Sequence, residues 1–90
     1  SMVYQDPGAA LNPSTKIAYE LPEDGKLLLT IYNLLGQQVR TLYDGNQLAG
    51  SYTTQWDAKN DQGQAVSSGI YFYRIQSGRM IQTKKMLLLR

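Results

Sequence analysis

The stretch that decides the fold is Lys16-Ile17-Ala18-Tyr19-Glu20-Leu21, then Pro22-Glu23-Asp24-Gly25, then Lys26-Leu27-Leu28-Leu29-Thr30-Ile31. In its first six residues, apolar Ile17, Tyr19 and Leu21 alternate with Lys16, Ala18 and Glu20. A period of two places one set on each face of a strand, so this is a half-buried strand. The tetrad after it is turn chemistry: proline presets φ at the second turn position and glycine accepts positive φ near the end. A second strand over 26–33, with Leu27, Leu29 and Ile31 on one face, is expected to return as its hairpin partner.

Outward from there the same grammar repeats. A glycine turn at Leu34-Leu35-Gly36 leads into a third strand over 37–43, and Asp44-Gly45-Asn46 is expected to break the chain. A fourth strand over 51–56 sets Tyr52, Thr54 and Trp56 on one face. Residues 57–69, rich in Asp, Asn, Gly and Ser, form a long loop. A fifth strand over 70–76 sets Tyr71, Tyr73 and Ile75 together, and Ser77-Gly78 turns it into a sixth over 80–89. Asp6-Pro7-Gly8 and Asn12-Pro13-Ser14 carry extended and turn signals. Ser1-Met2 has the look of a cloning scar, so 1–13 is assigned to a lead-in and 14–90 to one domain cut from a longer protein.

Short strands separated by turns, with no helical period, predict an all-β antiparallel sandwich of about six to eight strands. A small closed barrel is the alternative. The expected core is Ile17, Tyr19, Leu21, Leu27, Leu29, Ile31, Val39, Tyr52, Trp56, Tyr71, Tyr73, Ile75, Met86 and Leu88. Apolar residues make up 42% of the chain and charged ones 18%, which places it among folded globular domains. A chain of 90 residues buries only about two-thirds of its unfolded surface, so this core is thin.

The chain has neither cysteine nor histidine, which removes disulfides, thiolate metal sites and the commonest general base. No enzyme, cofactor or nucleic-acid partner is expected, and no apolar run approaches the roughly 20 residues of a membrane helix. Net charge is +2, yet no acidic residue follows Asp61, whereas Arg74, Arg79, Lys84, Lys85 and Arg90 do. Such a basic end suits an anionic partner or simply a solvated face.

Residue chemistry offers three weaker sites. Asp57, Asn60 and Asp61, closed by Gly63, could hold Ca²⁺, although Asx residues in loops more often bond their own backbone. Trp56, Tyr52, Tyr71 and Tyr73 could form a sugar platform, but their period of two points to the core. Glu20, Glu23, Asp24 and Asp44 could pair as a glycosidase couple, but three of them sit in or beside turns and so short a chain implies no cleft. The last strand is the oddest feature, with Met86 and Leu88 on one face and Leu87 and Leu89 on the other. Either both of its faces are covered, or one apolar strip meets a partner.

Three segments together resemble one family. They are NPSTKIAYELPE over 12–23 with LTIYNLLGQQVR over 29–40, WDAKNDQGQAVSSGIYFYR over 56–74, and KKMLLLR over 84–90. The resemblance is to the immunoglobulin-like C-terminal sorting domains of the type IX secretion system, and to their relative, the immunoglobulin-like domain of flagellar hook-capping proteins. It implies a non-catalytic sorting or anchoring module of a larger secreted bacterial protein, exported through the periplasm to the medium or cell surface. Its partners would be secretion machinery at the outer membrane and an upstream parent domain, with a homodimer also conceivable. By the same resemblance, Lys84, Lys85, Met86, Leu87, Leu88 and Leu89 would bind that machinery. A carbohydrate-binding or spacer module of an extracellular hydrolase and a hook-cap-like assembly domain are the rival readings.

Overall fold

Leu27, Leu29 and Ile31 lie on one face of a nine-residue strand, β3 (Gly25–Asn33), and all three are buried. The computed structural model describes residues 3–4 and 15–89, and side chains from residue 16. The turn signals at Asp6-Pro7-Gly8 and Asn12-Pro13-Ser14, and Arg90, lie outside the described residues. Around β3 are β1 (Val3–Tyr4), β2 (Thr15–Leu21), β4 (Gln38–Gln47), β5 (Gly50–Trp56), β6 (Gly69–Ser77) and β7 (Met80–Leu88). One sheet has the order β1-β7-β6-β3-β4 and the other is β2-β5. Two separate sheets make a sandwich rather than a closed barrel. Their pairings are antiparallel except that Val3 and Tyr4 lie parallel to Met86 and Leu87.

Two expectations fail, each for a nameable reason. Pro22-Glu23-Asp24 does not close a hairpin, because β2 pairs with β5, with Tyr19 opposite Tyr52, and not with β3. The apolar faces of β2 and β3 both belong to one core, and crossing between sheets sets them opposite each other instead of side by side. Turn chemistry reverses the chain without choosing its hydrogen-bonding partner. The Asp24 carboxylate accepts the Ala49 N–H at 2.7 Å and so ties this connection to the entry of β5.

Asp44-Gly45-Asn46 does not break the chain either. β4 runs through it to Gln47, in register with Leu28, Leu27 and Lys26 of β3. Gly45 stands beside the Tyr43 ring, 3.7 Å from the position its Cβ would take, and the Tyr43 hydroxyl donates to the Asn46 carbonyl at 2.6 Å. An aromatic neighbour thus covers the gap that a glycine leaves in a strand.

The two hairpins that were read correctly are built by side chains and glycine. Asn33 Oδ1 accepts the N–H groups of Leu35 and Gln37 at 3.0 and 2.9 Å, while Gly36 takes φ 81°. Gly78, with φ 59°, serves the β6–β7 turn. The core is as expected apart from Val39 and Tyr52, which are half-buried and pack against it from the side. Ala58 and Thr30 are buried in addition.

Two register shifts between β3 and β4 let the 57–66 loop reach the sheet edge. The Asp61 N–H donates to the Val39 carbonyl at 3.0 Å, and its carboxylate accepts the Thr41 N–H at 2.9 Å.

Candidate functional site

The six residues assigned to partner binding fall on β7 and just beyond it, and the structure divides them. Antiparallel pairing with β6 sets Lys84 opposite Tyr73, Lys85 opposite Phe72, Met86 opposite Tyr71, Leu87 opposite Ile70 and Leu88 opposite Gly69. Met86 and Leu88 therefore share the face of Tyr71 and Tyr73 and are only 1% and 2% exposed. Lys85 and Leu87 look outward, Lys85 exposed and Leu87 half-buried. Lys84 and Leu89 are half-buried. The strand lies inside its sheet, but its outer face is not covered, since Leu87 there is only half-buried. β6 borders one side of β7, and β1 borders the other at Met86 and Leu87.

Outward from β7, the same pairings assemble a surface that sequence reasoning missed. Tyr32, Phe72 and Lys85 form one cross-strand row on β3, β6 and β7, and Thr41, Thr30, Arg74 and Thr83 form the next. Ile70 and Leu87 extend it. Arg74 donates from Nη2 to the Tyr32 hydroxyl at 2.8 Å, and its guanidinium carbon stands 5.0 Å from the centre of that ring. Between these side chains and exposed Leu34 lies a shallow depression of about 260 Å³. The missed signal was in β6, whose residues Ile70 and Phe72 are apolar although they alternate with the core set.

The other candidate residues do not converge. In the loop, Asp57 Oδ1 accepts the Lys59 N–H at 3.2 Å and receives Arg40 at 3.0 Å, while Asn60 Oδ1 accepts Gln62 and Gln64 N–H groups. With Asp61 on Thr41, these side chains hold backbone, and no group of three or more acidic residues that could hold a metal gathers among the described residues.

Trp56, Tyr71 and Tyr73 are buried, with Trp56 edge-on to Tyr71 at 5.1 Å and its indole N–H on the Lys59 carbonyl at 2.9 Å. Tyr52 stacks on Tyr19 at 5.5 Å. Burial pushes the phenols of Tyr19 and Tyr73 above the ordinary tyrosine range, and for Tyr19 the neighbouring Tyr43 and Tyr52 add to the rise. Glu20, Glu23, Asp24 and Asp44 are all exposed. Among the described residues no helix is long and apolar enough to cross a membrane.

Residues 9–79 match the FlgD Ig-like domain family. The chain belongs to that family. Its fold is accordingly an immunoglobulin-like β-sandwich, and the family is a non-enzymatic one. Among solved structures it is similar to FlgD from P. aeruginosa, with a TM-score of 0.66 and 25% identity over 83% of this chain and 58% of that one. It is also similar in fold to dimeric latent PorU from Porphyromonas gingivalis, with a TM-score of 0.63 and 18% identity over 88% of this chain and 8% of that one. This FlgD Ig-like domain thus spans little more than half of one of these chains and a small part of the other. No curated protein matches it.

Proposed function

We propose that this FlgD Ig-like domain is a non-catalytic sorting or anchoring module of a larger secreted bacterial protein, recognised by outer-membrane secretion machinery through its terminal strand. The observation that carries this reading is the division of β7. Met86 and Leu88 fasten the strand into the core, while Lys85 and Leu87 stay on the surface of the folded domain. Recognition then uses the folded module, with Lys85 giving a charge contact and Leu87 apolar burial. Passage through the periplasm to the medium or cell surface belongs to the same proposal, as does contact with an upstream parent domain.

The test fuses residues 3–90 to a periplasmic reporter in a host with type IX secretion, beside a double variant, K85E with L87E. Both changes lie outside the buried core, so the variant keeps its fold, which circular dichroism checks. Export of the parent fusion and its loss in the variant support the proposal. A folded parent fusion that stays in the periplasm sinks it, and equal export of both fusions removes the terminal strand from it.

The family match favours a second reading, an assembly domain of the hook-capping kind. Concentration-dependent self-association of the isolated domain in light scattering would bring that reading forward, and a monomer across the range would count against it.

A further inference from the structure

We propose that the outer face of the five-stranded sheet is a docking site for an acidic, apolar, extended polypeptide segment of another protein, held by Tyr32, Phe72, Arg74 and Lys85. This inference does not rest on the sorting proposal, since a parent domain or any other protein carrying such a segment would fit.

Its first ground is the apolar surface left on this face. Phe72, Leu28 and Leu87 are only half-buried, and Ile70 and Ile81 are exposed, which is unusual for neighbouring residues of a small soluble domain. The second ground is charge. Neither Arg74 nor Lys85 forms an ion pair among the described residues, and β6 and β7 contribute no acid because none follows Asp61. Asp44, opposite Leu28 on edge strand β4, is the carboxylate this face does carry, and Asp61 at the same edge is engaged by Thr41 and Gln38.

The third ground is the preparation of Arg74. The Tyr32 hydroxyl and ring hold its guanidinium in place, and one N–H of its planar fork is used there. The remaining donors suit a carboxylate, and a half-buried arginine makes stronger charge-assisted bonds than a solvated one.

These observations choose among occupants. A second copy of the chain docking face to face would bring Arg74 and Lys85 against their own kind, so like charges disfavour it. A pyranose needs an open aromatic face, and the Tyr32 ring already carries the Arg74 guanidinium. An extended peptide whose every second residue faces the sheet, with acidic and apolar side chains both among those inward positions, meets the cations and the depression beside Leu34 together.

The experiment titrates the isotope-labelled domain with three synthetic heptapeptides, followed by amide NMR. One carries Glu, Phe, Glu and Leu at positions 1, 3, 5 and 7 with Ser between them, one replaces its Glu with Lys, and one replaces its Phe and Leu with Ser. Only the first is expected to shift amides of β3, β6 and β7 on the outer rows. R74E combined with K85E should weaken it by about tenfold and reverse the preference toward the Lys peptide. F72S should weaken the first peptide, and R79E, a charge reversal in the β6–β7 turn, should alter nothing. Thermal melts confirm that each variant is folded. Perturbation elsewhere on the surface, no perturbation by any peptide at about millimolar concentration, or a preference that survives the charge reversal would overturn the proposal. So would cellohexaose shifting these amides while the peptides leave them unmoved.

Discussion

Ala58 is fully buried and holds a φ of 61°, a left-handed conformation that costs a residue with a Cβ roughly 1–2 kcal/mol. Replacing it with glycine relieves that strain but removes a buried methyl worth about 0.8 kcal/mol and loosens the unfolded chain. Ala58→Gly should therefore leave stability within about 1 kcal/mol of the parent, whereas Ala58→Val, β-branched and larger, should lose more than about 2 kcal/mol. Urea unfolding of both variants checks this.

A second expectation concerns the buried phenols. Tyr19 and Tyr73 keep their protons to higher pH when folded, while in the unfolded chain they ionise near 10.0. Above that point the unfolded state binds fewer protons than the native one, so stability falls as pH rises and is level below it. The urea midpoint should drop as pH rises through 10.0, and less steeply in Tyr73→Phe. Trp56, Tyr71 and Tyr73 were legible as core because alternation marks an inward face. Ala58 was not, since a small residue in an Asx-rich loop has no period to betray it.

Strands were easier to read than their partners. Runs of alternating residues located β2, β3, β5, β6 and β7 closely, because alternation is a property of the strand itself. Whether β2 bonds to β3 or to β5 depends on residues about thirty positions away, which no local turn encodes. The same limit explains the misreading of Asp44-Gly45-Asn46, whose turn chemistry is overruled by pairing with β3 and by the Tyr43 ring.

The free side of β4 raises a question for any sheet, since unpaired strand groups invite another chain. Here Asp61 covers the first half by accepting the Thr41 N–H, and Arg40 bonds Asp57 and the Lys59 carbonyl at 3.0 and 3.2 Å. Asp61→Ala should cost about 1 kcal/mol and, on gel filtration at rising concentration, show association that the parent does not. An unchanged elution profile would mean that the loop backbone alone protects the edge.

Across the whole molecule, the terminal strand is structural before it is anything else. Met86→Ala and Leu88→Ala should each cost about 2–5 kcal/mol in thermal or urea unfolding, a large part of what a domain this small possesses. Deleting residues 84–90 should abolish the cooperative transition, so loss of export in such a truncation would report unfolding and not lost recognition. The sequence placed Met86 and Leu88 in the core but could not say which strands border β7 or what lies beside its outer strip. That follows from the sheet order, which also brings Tyr32 and Phe72, 40 positions apart, into one row.

That same dependence on β7 governs timing. The strands that β6 joins are β3, already made, and β7, the last of the sandwich to leave a ribosome or a translocation pore. Until Met86 and Leu88 emerge, the floor of the core is missing and the rest of the domain stays an open, threadable chain. Cooperative folding of the domain is thereby postponed until its own last strand is available.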